Sequence, residues 1–515
     1  MTEPIVDIES NSLATITTPE CTINQLELER RVAKAAGGFE DIGVGNGGVV
    51  ALLMRNDIPF IEAYIATQKA GAYSVPVNWH STPIEIEYVL KDCAATLLIV
   101  HADLYRTIAD RIPAGCTILI ASTPDYIQEA FKLAKEDCAT PEGMTDWRQW
   151  IEEQNPRIGP DAPQHGAIIY TSGTTGKPKG VKRLPMAPDL LARNIEVFRK
   201  TYGLAPDVRA LMVTPLYHAS PNGFARYTAI NGELLVLLPR FDAEDFLRQI
   251  EKYKINTITV VPTIFIKLLK LPKEVRDRYD TSSLKWVSHT ASACPVEVKQ
   301  EMIKWWGPIL HEVYGGTETG IALHCTSEEW LRKPGTVGHC IKGCEIRIYS
   351  ETGQILPVGT SGEIFVKNTA YADFTYINLP EERAAVDRDG FVSIGDIGYL
   401  DDDGYLFISD RKRDMVIFGG TNIYPAEIES ALILHEKIAD CAVIGIPDDE
   451  FGEVVAAYIK PVEGVVVTEE DLNLFLAEKI AKYKIPRSYI FVNNLPREES
   501  GKLMKRKLRD LHISN

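Results

Sequence analysis

Short apolar, β-branched runs alternate with amphipathic stretches through the middle of the chain. Residues 167–173 (AIIYTSG), 255–263 (INTITVVPT), 284–290 (LKWVSHT) and 309–316 (ILHEVYGG) read as buried strands. Between them, residues 243–254 (AEDFLRQIEKYK) and 295–306 (PVEVKQEMIKWW) have the spacing of helices packed by one face. This alternation predicts a layered α/β fold. From about Gly335 the runs shorten into alternating segments, 345–356, 362–367 and 398–410, with Asp403-Gly404 placed as a hairpin turn. That texture predicts a β-rich subdomain. Beyond Asp410 the pattern becomes mixed: 425–435 as a helix, 441–448 as a strand, and 468–483 as a helix capped by Thr468. The expected organisation is a large N-terminal domain over residues 1–412, and a small α+β C-terminal domain over residues 413–515.

Composition narrows the class. A chain of 515 residues with 45% hydrophobic and 24% charged residues has material for several packed units and is not a disordered polymer. Its 55 Lys and Arg against 71 Asp and Glu give a net charge of −16, which repels a phosphate backbone, so nucleic acid is excluded as a main partner. No apolar run reaches the ~20 residues of a transmembrane span, and the start, MTEPIVDIES, is acidic where a secretion signal is basic and then apolar. A cytoplasmic protein is expected. The 9 cysteines are scattered, and the nearest pair, Cys340 and Cys344, lacks further ligands at zinc spacing, so reduced structural thiols are expected.

The chemistry concentrates at residues 170–181, YTSGTTGKPKGV. A strand opens there into glycines, small hydroxyl residues and lysines. Glycine lets the backbone approach an anion, while hydroxyls, N–H groups and ammonium groups supply donors and charge. The segment suits a phosphate. It is not a Walker A loop: Gly173 and Gly176 stand three apart, and Pro178 follows Lys177.

With this run the chain resembles the adenylate-forming superfamily: acyl-CoA synthetases, firefly-type luciferases and peptide-synthetase adenylation domains. The likeness extends from Thr22-Ile23-Asn24-Gln25-Leu26 to Lys507-Leu508, with the motifs in family order. It implies that Thr171, Ser172, Gly173, Thr174, Thr175, Gly176 and Lys179 bind nucleotide phosphates. In Tyr314-Gly315-Gly316-Thr317-Glu318 it implies that the Tyr314 ring stacks on adenine, Thr317 meets the α-phosphate and Glu318 holds Mg²⁺. A flat ring, a neutral donor and a hard oxygen suit those tasks. Asp396 is similar to the aspartate that accepts from both ribose hydroxyls, and Arg411 to the arginine on ribose and phosphate. Arg413 falls at the family hinge, usually Asp or Lys, so arginine is a departure. Lys502, in Ser500-Gly501-Lys502, resembles the catalytic lysine carried by a mobile C-terminal domain.

The resemblance also places an acyl pocket at His218, Val261, Thr263, Ser288, Ala291, Gly315, Gly316 and Ile321. These are mostly small or apolar, and no aspartate follows His218 to pair an ammonium group, which disfavours an amino acid. The implied activity is adenylation of a hydrophobic carboxylic acid with ATP and Mg²⁺, then transfer to coenzyme A. A luciferase-like monooxygenase, a stand-alone enzyme loading a carrier protein, and a non-catalytic nucleotide- or acyl-binding protein stay open as alternatives, as does homodimerisation. Residues 370–380, AYADFTYINLP, match the family weakly, and no role is carried over to them.

Overall fold

The computed structural model describes residues 15–159, 162–163, 165–171, 177–419, 421–448, 450–497 and 503–513. Its largest sheet has nine strands, in the order His339–Cys340, Gly320–Cys325, Leu310–Gly316, Trp286–His289, Thr257–Val260, Arg209–Met212, Leu234–Leu237, Thr15–Thr17 and Thr22–Asn24. The inner strands run parallel and the edges turn back antiparallel. Leu234–Leu237 and Thr257–Val260 are buried at every residue, as strands covered on both faces must be. The expected helices lie between them as Ala243–Tyr253, opened by the Asp242 side chain on Asp245 N, and Val296–Trp306. A second, four-stranded parallel sheet comprises Tyr73–Pro76, Val49–Leu53, Leu97–His101 and Thr117–Ala121.

The strand expected at 167–173 takes a different place. Ile169–Thr171 pairs antiparallel with Lys179–Arg183, which pairs in turn with Phe374–Tyr376, in a separate three-stranded sheet. Only residues 172–178 separate the two strands, too few for a helical crossover, and the pairing is antiparallel. The poorly matching segment 370–380 therefore supplies a strand beside Lys179–Arg183.

The β-rich region forms a five-stranded antiparallel sheet from Cys344–Tyr349, Gly362–Asn368, Asp387–Arg388, Phe391–Leu400 and Leu406–Arg411, with Gly404 at φ +80° in the final hairpin. One short helix, Pro380–Ala385, interrupts it. The chain then enters another sheet, beginning at Val416–Phe418 and built on the long pair Ile438–Asp448 and Gly452–Pro461. Thr468 caps the helix Glu469–Ala477 in a reciprocal box with Asp471. That helix stops short of the expected residue 483, because Ile480 and Ile485 turn inward to pack on the C-terminal core.

The small domain is seated on the large one by directional contacts. Lys270 Nζ donates to the carbonyls of Ile438 and Ala439, at 2.8 and 2.9 Å. Within the small domain, Arg509, on the helix Lys505–Ile513, reaches Asp414 Oδ1 at 2.8 Å and the carbonyl of Arg413 at 3.3 Å. Among the described residues no helix is long and apolar enough to cross a membrane. All nine cysteines are free.

Candidate active site

A cavity of about 1650 Å³ opens at the carboxyl ends of the parallel strands of the large sheet, where open α/β sheets bind their ligands. Val261, Ala291, Gly315 and Gly316 lie on its wall, Thr171 and Lys179 flank it, and Arg497, Leu503 and Met504 reach it from the small domain.

Glu318 is held in place from two sides. Its Oε1 accepts from the Tyr376 hydroxyl at 3.0 Å and from Thr171 Oγ1 at 3.5 Å. Burial, then the adjacent carboxylate, push the Tyr376 hydroxyl up, so it remains a donor. The main chain beneath is fixed by Arg183, whose Nη2 donates to the carbonyls of Thr317 and Glu318 at 2.8 and 2.6 Å. Arg183 also donates to the carbonyl of Ala372, and its guanidinium lies 5.3 Å from the Tyr371 ring. Sequence reasoning missed Arg183, Tyr371 and Tyr376. The aromatic pair Phe374 and Tyr376, spaced two apart around Thr375, is the signal that would have exposed a strand there.

The two glycines before Thr317 have separate reasons. A Cβ on Gly315 would stand 2.0 Å from the carbonyl oxygen of Gly320, across a register shift in the Leu310–Gly316 and Gly320–Cys325 pair. Gly316 N donates to Thr319 Oγ1 at 2.9 Å, so the turn is closed by a side chain two residues beyond Thr317.

Tyr314 and Asp396 meet one another. The Tyr314 hydroxyl donates to Asp396 Oδ2 at 2.8 Å, and Arg411 Nε stands 3.2 Å from Asp396 Oδ1. Burial first, and the Asp396 charge second, push the tyrosine hydroxyl far up. The Tyr314 ring packs among Leu323, Ile364 and Leu406, and neither Tyr314 nor Asp396 lines the cavity, whereas Gly315, Gly395 and Arg411 do.

Lys179 pairs with Glu382 Oε2 and faces the Tyr376 ring at 5.2 Å, so its charge is neutralised by the short helix of the 380s. Ser172, Gly173, Thr174, Thr175, Gly176 and Lys502 lie outside the described residues. Lys505, in the basic run after Lys502, is paired with Glu429 at 2.8 Å within its own domain.

Of the expected acyl-pocket residues, His218, Val261, Ala291, Gly315, Gly316 and Ile321 line the cavity. Thr263 and Ser288 do not. Ser288 is fully buried and donates to the carbonyl of Ile258 at 3.3 Å, so its hydroxyl is used between neighbouring strands. Thr263 sits in the first turn of the helix Pro262–Leu269, beyond the strand end that reaches the cavity. Thr290, one residue past its strand, lies on the wall instead. The helix Ala219–Asn231 forms one flank, with Asn222, Gly223, Arg226 and Tyr227 at helical spacing on the cavity side.

A parallel sheet whose strand ends carry a strapped Thr-Glu pair, closed by a second domain, defines an adenylate-forming site, and the chain belongs to that family. The family model described as AMP-binding enzyme matches residues 11–373, and the one described as AMP-binding enzyme C-terminal domain matches residues 427–502. Among individual relatives, a long-chain-fatty-acid–CoA ligase of Bacillus subtilis is 32% identical, over 94% of this chain and 89% of its own length. An indoleacetate–CoA ligase of Aromatoleum aromaticum is 31% identical, over 96% and 94%. The solved structure of ATP-bound MatB from Rhodopseudomonas palustris superposes with a TM-score of 0.82 at 28% identity, covering 99% of this chain and 97% of that one.

Proposed function

We propose that the protein is an AMP-forming acyl-CoA synthetase that adenylates a bulky, largely apolar carboxylic acid and passes the acyl group to coenzyme A. The observation that carries this reading is the Thr317-Glu318 pair, fixed by Arg183 and Tyr376 at the mouth of a cavity that both domains wall.

Among the described residues, the two hydrogen bonds that reach the Glu318 carboxylate both fall on Oε1. Among these residues Oε2 is left to a hard cation, so the donor set fits Mg²⁺ carried by ATP. When bound, the ion would offset charge on the phosphates. This chain's own residues do the rest. Thr317 and the loop 172–176 would donate to the α-phosphate as the acid's carboxylate oxygen attacks phosphorus and pyrophosphate leaves. Lys502 would place a compact positive charge between carboxylate and phosphate during that step. In the second step the thiolate of coenzyme A attacks the acyl carbon, and AMP departs. For the second step the small domain, residues 413–515, would rotate about Arg413, which lies between the last strand of one sheet and the first of the next. Arg411 would follow the ribose and phosphate, with Asp396 beneath it.

The test is a panel of carboxylic acids assayed for acid-dependent pyrophosphate release, followed by thioester formation with coenzyme A or with acyl-carrier protein. Pyrophosphate release and a coenzyme A thioester are expected. Adenylate formation with transfer only to a carrier protein would reassign the acceptor.

A further inference from the structure

Arg226 lies two turns into the helix Ala219–Asn231 and projects into the acid-binding side of the cavity. Among the described residues its buried Nε has no hydrogen-bond partner, and its charge centre lies 5.7 Å from the Tyr64 ring. Among the described residues no carboxylate pairs with it. Arg55, Arg183 and Arg497 are by contrast met by Asp103, by main-chain carbonyls and by Asp440, while Arg276, whose Nε is likewise buried without a hydrogen-bond partner among the described residues, does not line the cavity. Arginine cannot shed its proton to escape the cost of desolvation, so a guanidinium without a counter-charge at a cavity wall is matched by an anion only when a ligand brings one.

The surroundings narrow that ligand. Tyr64 and Gln68 stand one turn apart on the helix Ile58–Lys69, so they share a face, and both line the cavity. Gln68 Nε2 donates to the carbonyl of His165 at 3.4 Å. His165 Nε2 is engaged with Asn46 Oδ1 at 2.9 Å, while its buried Nδ1 has no hydrogen-bond partner among the described residues. One end of the cavity thus combines a planar cation, an amide and an imidazole nitrogen with aromatic walls. From His218, which caps the helix beside the expected reaction centre, to Arg226 is eight residues, about 12 Å along the axis.

We infer that the acid carries a second carboxylate, remote from the one that is activated, and that Arg226 binds this second group. The inference rests on the ligase reading above and adds the substrate class: an apolar or ring-bearing spacer with an anionic terminus. Arg226 contacts substrate without joining the chemistry, so it sets specificity.

The test uses the full-length enzyme and matched acids of increasing length, each as a monoacid ending in methyl and as the diacid ending in carboxylate. Pyrophosphate release gives kcat/KM for both members, for the natural enzyme and for Arg226→Leu and Arg226→Lys. The natural enzyme is expected to prefer the diacid at one or two lengths by at least about 30-fold, as for a paired buried charge. Arg226→Leu is expected to abolish that preference, and Arg226→Lys to keep part of it, since the charge survives while the two-pronged geometry is lost. Calorimetric binding of the preferred diacid to natural enzyme and to Arg226→Leu reads the same contact without turnover. Monoacid turnover with no diacid preference in the natural enzyme, or a preference that survives Arg226→Leu, overturns the assignment and leaves the ligase reading standing. No pyrophosphate release with any acid overturns the ligase reading and this inference with it.

Discussion

Tyr376 donates its hydroxyl to Glu318 across 3.0 Å, joining a strand of the least family-like segment to the acidic residue of the most family-like one. Removing that donor in Tyr376→Phe frees the carboxylate to swing without removing it. Adenylation is expected to fall about 10- to 100-fold, the range for a hydrogen bond to a charged group, and to recover in part at high Mg²⁺. Glu318→Ala is expected to lose ~10²-fold or more with no such recovery. Pyrophosphate release measured against Mg²⁺ concentration separates the two. Equal magnesium dependence in both variants would remove Tyr376 from the positioning of Glu318.

The two half-reactions are expected to separate on the C-terminal side. Lys502→Ala should abolish adenylation and spare thioester formation from supplied acyl-adenylate. Arg413→Pro should do the reverse, because proline fixes φ near −65° and blocks a rotation there. A parallel loss of both activities in the Lys502 variant would sink the two-arrangement account.

Gly315→Ala should damage the fold itself. The added methyl would stand 2.0 Å from the carbonyl oxygen of Gly320, a contact with main chain that no side-chain motion relieves. A loss of about 2–4 kcal/mol is expected, judged from overpacking and local strain. Thermal unfolding checks it, and a Tm within two degrees of the natural protein, less than about 1 kcal/mol would produce, would contradict the geometry.

Acid sensitivity is expected from a stacked pair of histidines. His311 lies 3.5 Å from the Trp286 ring, at an interplanar angle of 2°, and its Nδ1 stands 3.1 Å from His324 Nε2. That bond needs one N–H and one bare nitrogen, so protonating the accepting ring sets donor against donor. Burial first, then His324, pull His311 down from 6.5 to about 3. A histidine lowered in the folded state takes up protons first when unfolded. Its contribution is therefore complete above about pH 6.5 and is lost as pH falls toward 3. His311→Phe, which keeps an aromatic stack, should flatten the decline in urea stability between pH 7 and 5. An unchanged slope would show that the pair does not govern it.

Much of this was legible in the sequence because it follows from local pattern. The buried strands at 257–260 and 286–289 and the helices at 243–253 and 296–306 follow from periodicity within a dozen residues. Gly315 and Thr317-Glu318 were visible because their chemistry is carried by neighbours in sequence. What was not legible depends on long-range pairing. Arg183 reads as one more cation in a basic run until the strand Phe374–Tyr376 is laid beside it. Ser288 suits a pocket by size, and only the pleat of its strand turns the hydroxyl toward Ile258. Arg226 has no local marker; its lack of a partner is a property of the assembled cavity.

The contact from Arg183 to Ala372 spans 189 residues, and the strand pairing of Arg183 with Phe374 and of Val181 with Tyr376 closes slightly longer loops. A ribosome must therefore add the residues through Tyr376 before the strand Lys179–Arg183 has its outer neighbour, an interval of roughly ten to forty seconds at ordinary rates of elongation. During that interval Lys179–Arg183 is a sheet edge, open to other chains. Nascent chains stalled between residues 184 and 370 should bind chaperones through this edge, and chains stalled past the 380s should release them.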